Sequence, residues 1–409
     1  MTSAHTRQRG VLRLAGRLVF SWLTPLIAVL AYLFFWPLNV HPVSWSAPMD
    51  ASYTGVHAPN KRLAGLQQWP LAAEQEGPEH ILAHAGQLYT ATRNGDILRM
   101  SPEGQPTVLA NTGGRPLGLD VSPDGQTLYI ADALNGLQSI SLAAAATGKA
   151  SVKTLLDSVD MPMPNDPIRY ADGVAVDSRG AIWVTDASRR FSAKADGGTM
   201  EASVLDILEH SCTGRVLVVD PVSNRGRVAL SGLCFPNGLA FSRDGKHLFL
   251  AETGSYRILK IDLARLSVAR SSEGMSNVPT LKNAFDQGAA KVLIDNLPGF
   301  PDNLTRGENG RIWVGLTKPR SKIIDIAADK PWIRSLTLRL PRVLWPVPKA
   351  YGHIVAFDEE GRIVDDLQDP AGGYPETTAA TELGGNLFVQ SLHAHGIGWM
   401  PYKGPAAAQ

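Results

Sequence analysis

The sequence predicts an all-β protein: a six-bladed β-propeller with an N-terminal transmembrane helix and a basic amphipathic helical insertion. Three observations predict it. Six short turns bearing an acid, an amide or a glycine open hydrophobic stretches, at Gly77-Pro78-Glu79, Arg115-Pro116-Leu117-Gly118, Ala171-Asp172-Gly173, Pro236-Asn237-Gly238, Pro301-Asp302-Asn303 and Thr378-Ala379-Ala380-Thr381-Glu382. Each leads to a strand with an aromatic centre, such as Leu128-Tyr129-Ile130, Ile182-Trp183-Val184 or Ile312-Trp313-Val314. Glycine-centred turns, among them Asn94-Gly95, Asp124-Gly125, Asp244-Gly245 and Asn309-Gly310, separate the strands. A repeat of short strands and Gly turns is the sequence form of a propeller.

Along the chain, residues 1–17 form a basic tail with Arg7, Arg9, Arg13 and Arg17, and residues 18–40 carry no charged side chain. About 20 apolar residues suffice to cross a bilayer. The flanking arginines orient the N-terminus to the cytoplasm, so the rest of the chain is expected on the periplasmic or extracytoplasmic side of the inner (plasma) membrane. A cleaved signal peptide is the alternative, though the apolar run exceeds a usual signal core. Residues 41–64 are polar and aperiodic and read as a tether, 65–402 as the propeller and 403–409 as a tail.

Two segments break the blade pattern. Residues 189–210 read as an elaborated loop with a short helix through 201–209. Residues 318–349 carry eight Lys and Arg against Asp325 and Asp329, and Trp332, Ile333, Leu336 and Leu340 recur at helical spacing behind Pro331 at a first-turn position. Such a helix either packs on a blade with its charges solvated, or lids the channel and touches anionic headgroups. A net charge of +1 predicts no nucleic-acid partner. Of the two cysteines, Cys234 lies in a strand-like run and reads as a buried thiol, with any pairing to Cys212 left open.

Loops entering equivalent strands of a propeller converge on its axis. Glu79, Asp172, Asn237, Asp302 and Asn303 would therefore bring three carboxylates and two amides together, a donor set suited to Ca²⁺, which accepts six to eight oxygens. Each alone is an ordinary turn residue; recurrence at one place in several repeats is what points to a shared metal. His393 and His395, at alternate positions of a predicted strand, would share a face as candidate bases or as hydrogen-bonded surface residues. Nucleophile-elbow, Walker, dinucleotide and zincin signatures are absent. Metal-assisted hydrolysis of a small-molecule ester or lactone remains.

The runs Phe235-Pro236-Asn237-Gly238-Leu239-Ala240, Leu297-Pro298-Gly299-Phe300-Pro301-Asp302-Asn303 and Gly114-Arg115-Pro116-Leu117-Gly118-Leu119 resemble the strictosidine synthase-like proteins. The apolar N-terminus and Lys330-Pro331-Trp332-Ile333-Arg334 are similar to its adipocyte plasma membrane-associated branch. The resemblance implies a six-bladed propeller related to paraoxonases and gluconolactonases, in whose hydrolytic members a channel Ca²⁺ polarises an ester or lactone carbonyl. Carried over, the ligands would be Glu79, Asn237, Asp302 and Asn303; Asp172-Gly173 departs from the Asn-Asp usual there, which adds charge to the site. The paraoxonase-type histidine is replaced by Leu117. The resemblance also implies an alternative, amine–aldehyde condensation driven by a glutamate early in the last blade, with Glu382 at that place. A calcium-stabilised binding or scaffold propeller without catalysis is the other alternative, since fold does not fix function.

Overall fold

Each of the six repeats forms a four-stranded antiparallel sheet. The computed structural model describes residues 23–101, 103–148, 150–160, 163–266, 285, 288–345 and 347–405. The first, innermost strands are Ile81–His84, Pro116–Val121, Ala171–Val176, Pro236–Phe241, Gly299–Arg306 and Thr377–Leu383. Each touches the next, and the sixth touches the first, which closes the ring. Closure also has a covalent order: Gln67–Pro70, N-terminal to blade 1, pairs with Gly396–Pro401 and completes blade 6.

Second strands are buried along most of their length, and Ile182–Asp186 along all of it, because neighbouring blades cover both faces. Glycine lets the inner strands approach. A Cβ on Gly118 would lie 2.5 Å from the Asp172 carbonyl oxygen, and one on Gly173 2.5 Å from that of Asn237; one on Gly238 would meet the Leu304 nitrogen. Gly173, which departs from the resembled pattern, thus occupies a position with no room for a side chain.

Both non-blade segments connect second to third strands, in blades 3 and 5. In an antiparallel sheet those connections emerge on the face where the first strands begin, so both insertions cover one mouth of the channel. The first contains a helix at Thr199–Glu209, as expected. In the second, Lys322–Ile326 and Pro331–Arg339 are helical, with Pro331 in the first turn. The buried face of the latter differs from the expected seam: Arg334 and Leu338 are inside, whereas Trp332 is 61% exposed. Arg334 donates to the carbonyls of Leu208 (2.9 Å), Ala327 (3.2 Å), Ala328 (3.0 Å) and Val43. Unpaired carbonyls at the end of the 199–209 helix favour a cation there.

The segment expected to be a tether is packed. Val43 and Trp45 donate backbone hydrogen bonds to Glu209 and Ala328, Trp45 stacks on His210 at 3.9 Å, and Leu63 is buried. Cys234 is not a free thiol; it is disulfide-bonded to Cys212. Residues 23–35 are helical with Leu26, Ile27, Val29, Phe34 and Phe35 exposed. No helix among the described residues is long and apolar enough to cross a membrane. The basic tail and residues 18–22 of the expected span lie outside the described residues.

Candidate metal centre

The first strands of blades 2 to 6 share an irregularity that aims side chains at the axis. Pairing with the second strand shifts register between Pro116 and Gly118, Ala171 and Val174, Pro236 and Leu239, Pro301 and Leu304, and Thr377 and Ala380. Asp172, Asn237, Asp302 and Asn303 lie in these bulges, where the strict alternation of a strand is suspended. Glu79 precedes the first strand of blade 1.

Glu79, Asp172, Asn237 and Asp302 line one cavity of about 290 Å³ and are all buried. Each has a buried oxygen without a hydrogen-bond partner: Glu79 Oε2, Asp172 Oδ1, Asn237 Oδ1 and Asp302 Oδ1. Four such atoms from four blades at one place are unusual, since buried polar atoms are normally paired. Other buried acids nearby brace backbone: Asp132, whose Oδ2 is also unpartnered, accepts through Oδ1 from the Arg115, Leu134 and Asn135 amides, and Asp186 Oδ1 accepts from those of Arg169 and Tyr170. They hold the loops that lead into the openings. The residues around the axis thus fit a hard cation, and the unpaired oxygens are what a cation would take up.

Asn303 has another role, donating to the Glu79 carbonyl (3.0 Å) and Oε1 (3.3 Å). Threonines fix the backbone of the cluster: Thr378 donates to the Glu79 carbonyl, Thr185 to that of Asn237 (2.9 Å) and Thr253 to that of Pro301 (2.6 Å). Burial, reinforced by the charge of Asp302, raises the carboxyls of Glu79 and Asp172 well above their usual range, and burial pushes Asp302 up to about 7. Arg115, also buried in the cavity wall with Nη1 unpartnered, offsets part of this repulsion.

Of the other predicted residues, His393 lines the cavity and its Nδ1 contacts Glu376 Oε2. The two histidines do not share a strand face: they sit in the loop 392–395, and the His395 side chain is 71% exposed, 3.7 Å from Glu76. Glu382 lies outside the cavity. It is five residues after Thr377, about 16 Å along the strand and toward the opposite mouth. Its carboxylate is held by Arg311 (2.9 and 2.5 Å) and Trp313 Nε1 (2.7 Å). The carboxylate that the last blade does bring to the mouth is Glu376, which the repeat pattern did not single out because it precedes the strand. Arg115 and the threonines were likewise missed, although Thr185 and Thr253 stand just after apolar second-strand runs.

The cavity walls come from the insertions: Met200, Val204, Ile207 and Leu208 on one side, and Ile324, Trp345, Val347 and Pro348 on another. Leu117, Phe235 and Phe300 complete an apolar lining above the polar floor.

Known proteins are similar to this chain to different extents. The profile described as strictosidine synthase-like, N-terminal, matches residues 55–100; that of strictosidine synthase matches 172–264, and that of the SMP-30/gluconolactonase/LRE-like region 82–204. The adipocyte plasma membrane-associated protein of Salmo salar is 27% identical over 393 residues, 90% of this chain and 86% of its own length. The protein strictosidine synthase-like 13 of Arabidopsis thaliana is 32% identical over 264 residues, 63% of this chain and 57% of its own. A gluconolactonase of Xanthomonas campestris shares the fold, with a TM-score of 0.51 at 16% identity over 88% of this chain and 97% of that one. This chain thus carries strictosidine synthase-like domains at residues 55–100 and 172–264, and along nine-tenths of its length it is similar to adipocyte plasma membrane-associated proteins.

Proposed function

We propose that this protein is a membrane-anchored, calcium-dependent hydrolase of esters or lactones, acting in the propeller channel. The observation that carries the reading is the set of four unpartnered buried oxygens at the floor of an apolar-walled cavity. Glu79, Asp172, Asn237 and Asp302 would hold the ion, with Asn303 bracing Glu79. When bound, Ca²⁺ supplies a Lewis acid for the ester or lactone carbonyl and for charge developing on its oxygen. The chain's apolar walls bury the acyl part of the substrate and exclude water around it. Arg115 balances the third carboxylate of the floor.

The anchor would be the N-terminal apolar run, with the propeller outside the cytoplasm. Relatives named plasma membrane-associated and a disulfide, a bond of oxidising compartments, both support this. Ile323, Ile326, Trp332, Val343 and Leu344 are exposed on the insertion that walls the cavity, and Arg339 donates to the Trp36 carbonyl beside the apolar helix. This surface would meet the bilayer and favour amphiphilic substrates. The condensation alternative, in contrast, needs Glu382 in the cavity, and its carboxylate is engaged elsewhere.

Purified protein assayed on aryl esters and lactones tests the reading. Activity is expected to vanish with a calcium chelator and return with Ca²⁺, and Asp302→Asn should lower kcat/KM at least about 100-fold, the size of losing one electrostatic stabiliser. Activity indifferent to chelation would overturn it. Thermal stabilisation by Ca²⁺ with no turnover would favour a binding or scaffold propeller.

A further inference from the structure

Beside the carboxylate floor, the cavity wall carries a second charged group that the metal reading does not use. Lys318 is the penultimate residue of the second strand of blade 5, Glu376 precedes the first strand of blade 6, and His393 lies in the loop after the second strand of that blade. Glu376 bridges the other two: Oε1 contacts Lys318 Nζ and Oε2 contacts His393 Nδ1. It is buried, and its backbone has φ of 52°, an uncommon conformation for a non-glycine residue and one often retained at functional positions. Lys318 and His393 both line the cavity.

We propose that His393 is the proton-transfer residue of this cavity, that Glu376 positions it, and that Lys318 tunes the pair. The inference rests on the hydrolase reading above. With Nδ1–H given to Glu376, the imidazole keeps a lone pair on Nε2, the atom left for a substrate or water. Water adds to the carbonyl carbon and passes its proton to Nε2; the bond to the leaving alkoxide then breaks and the alkoxide takes that proton, giving an acid and an alcohol. Burial alone would raise the Glu376 carboxyl, but hydrogen bonds from His393 and Lys318 outweigh it and hold the group down at about 2, so it stays ionised. Around the triad, Glu76 and His395 lie on the His393 side, Arg93 lines the same cavity and Asp302 senses the charge of Glu376.

The two neighbours of His393 act on it with opposite signs. A carboxylate favours the imidazolium, so Glu376→Gln should lower the His393 pKa; an ammonium disfavours it, so Lys318→Met should raise it. Titration of the full-length protein by NMR of labelled histidine, with His393→Gln to assign the resonance, is expected to show shifts of about one pH unit in these opposite directions. The acid limb of kcat/KM should move the same way, and His393→Gln should lower kcat about 100-fold while leaving the calcium-dependent rise in Tm intact. Shifts of the same sign in both variants, or no shift, would overturn the inference, as would full turnover by His393→Gln. Absence of turnover by the wild type on every ester and lactone would instead overturn the hydrolase reading, and the titration would still decide whether the triad tunes His393.

Discussion

Glu79, Asp172 and Asp302 set how the protein responds to pH. Their folded-state carboxyls are raised above ordinary values, Asp302 from 3.8 to about 7, because burial and mutual repulsion disfavour the charged forms. A group with a raised folded pKa contributes stability that is complete below its unfolded pKa and is lost as pH rises through the folded one. The metal-free protein should therefore lose thermal stability from about pH 4 to pH 7, a window given by the Asp302 shift. Under the calcium reading the ion should reverse that loss: at 100-fold excess over Kd it should raise Tm by about 5 °C at pH 8 and by less at pH 5, where protons compete. Differential scanning fluorimetry with and without chelator measures both, and Asp302→Asn should flatten the pH dependence. The five candidate residues were legible because they recur at openings. Their division of labour was not, because whether an amide offers its oxygen or its nitrogen depends on its neighbour: Asn303 meets the Glu79 carbonyl and donates to it.

Among the elements, the insertion helix Pro331–Arg339 shows how a sequence pattern can identify a helix and misassign its face. Apolar spacing pointed to Trp332, Ile333, Leu336 and Leu340, yet the helix buries Arg334 because four carbonyls from three separate segments need a donor at that place. Replacing Arg334 by Met would leave those carbonyls buried and unpaired, at a cost of about 3 kcal/mol. The loss should be local. Hydrogen exchange is expected to accelerate in 199–209 and 322–340, with the strand Ile182–Asp186 unchanged, and substrates that depend on the cavity walls should show a raised KM. The two histidines near the C-terminus teach the same point: a period of two was read across 391–396, but the strand stops at Ser391 and the loop sends His393 to Glu376 and His395 to solvent.

At the scale of the whole molecule, the ring is held shut by four residues far from the rest of their sheet in sequence, Gln67–Pro70 on Gly396–Pro401. Deleting residues 1–70 should leave an unpaired edge in blade 6, and exposed edges recruit other chains. Sedimentation is expected to show concentration-dependent oligomers for that truncation and none for a truncation ending at residue 40; a monomeric product from both would refute the closure argument. The sequence by itself determined the number of blades, the strand and turn alternation, the glycines of the inner strands and which oxygen-bearing residues open the repeats, because these follow from local periodicity and side-chain chemistry. Only the tertiary structure decided that Glu376, not Glu382, contacts the cavity residues Lys318 and His393, that Cys212 and Cys234 are joined, that the supposed tether is packed, and that both insertions wall one mouth. Those outcomes depend on which end of a strand faces which mouth and on polar groups left over by other segments. Such partners are far apart in the chain, and no local pattern records them.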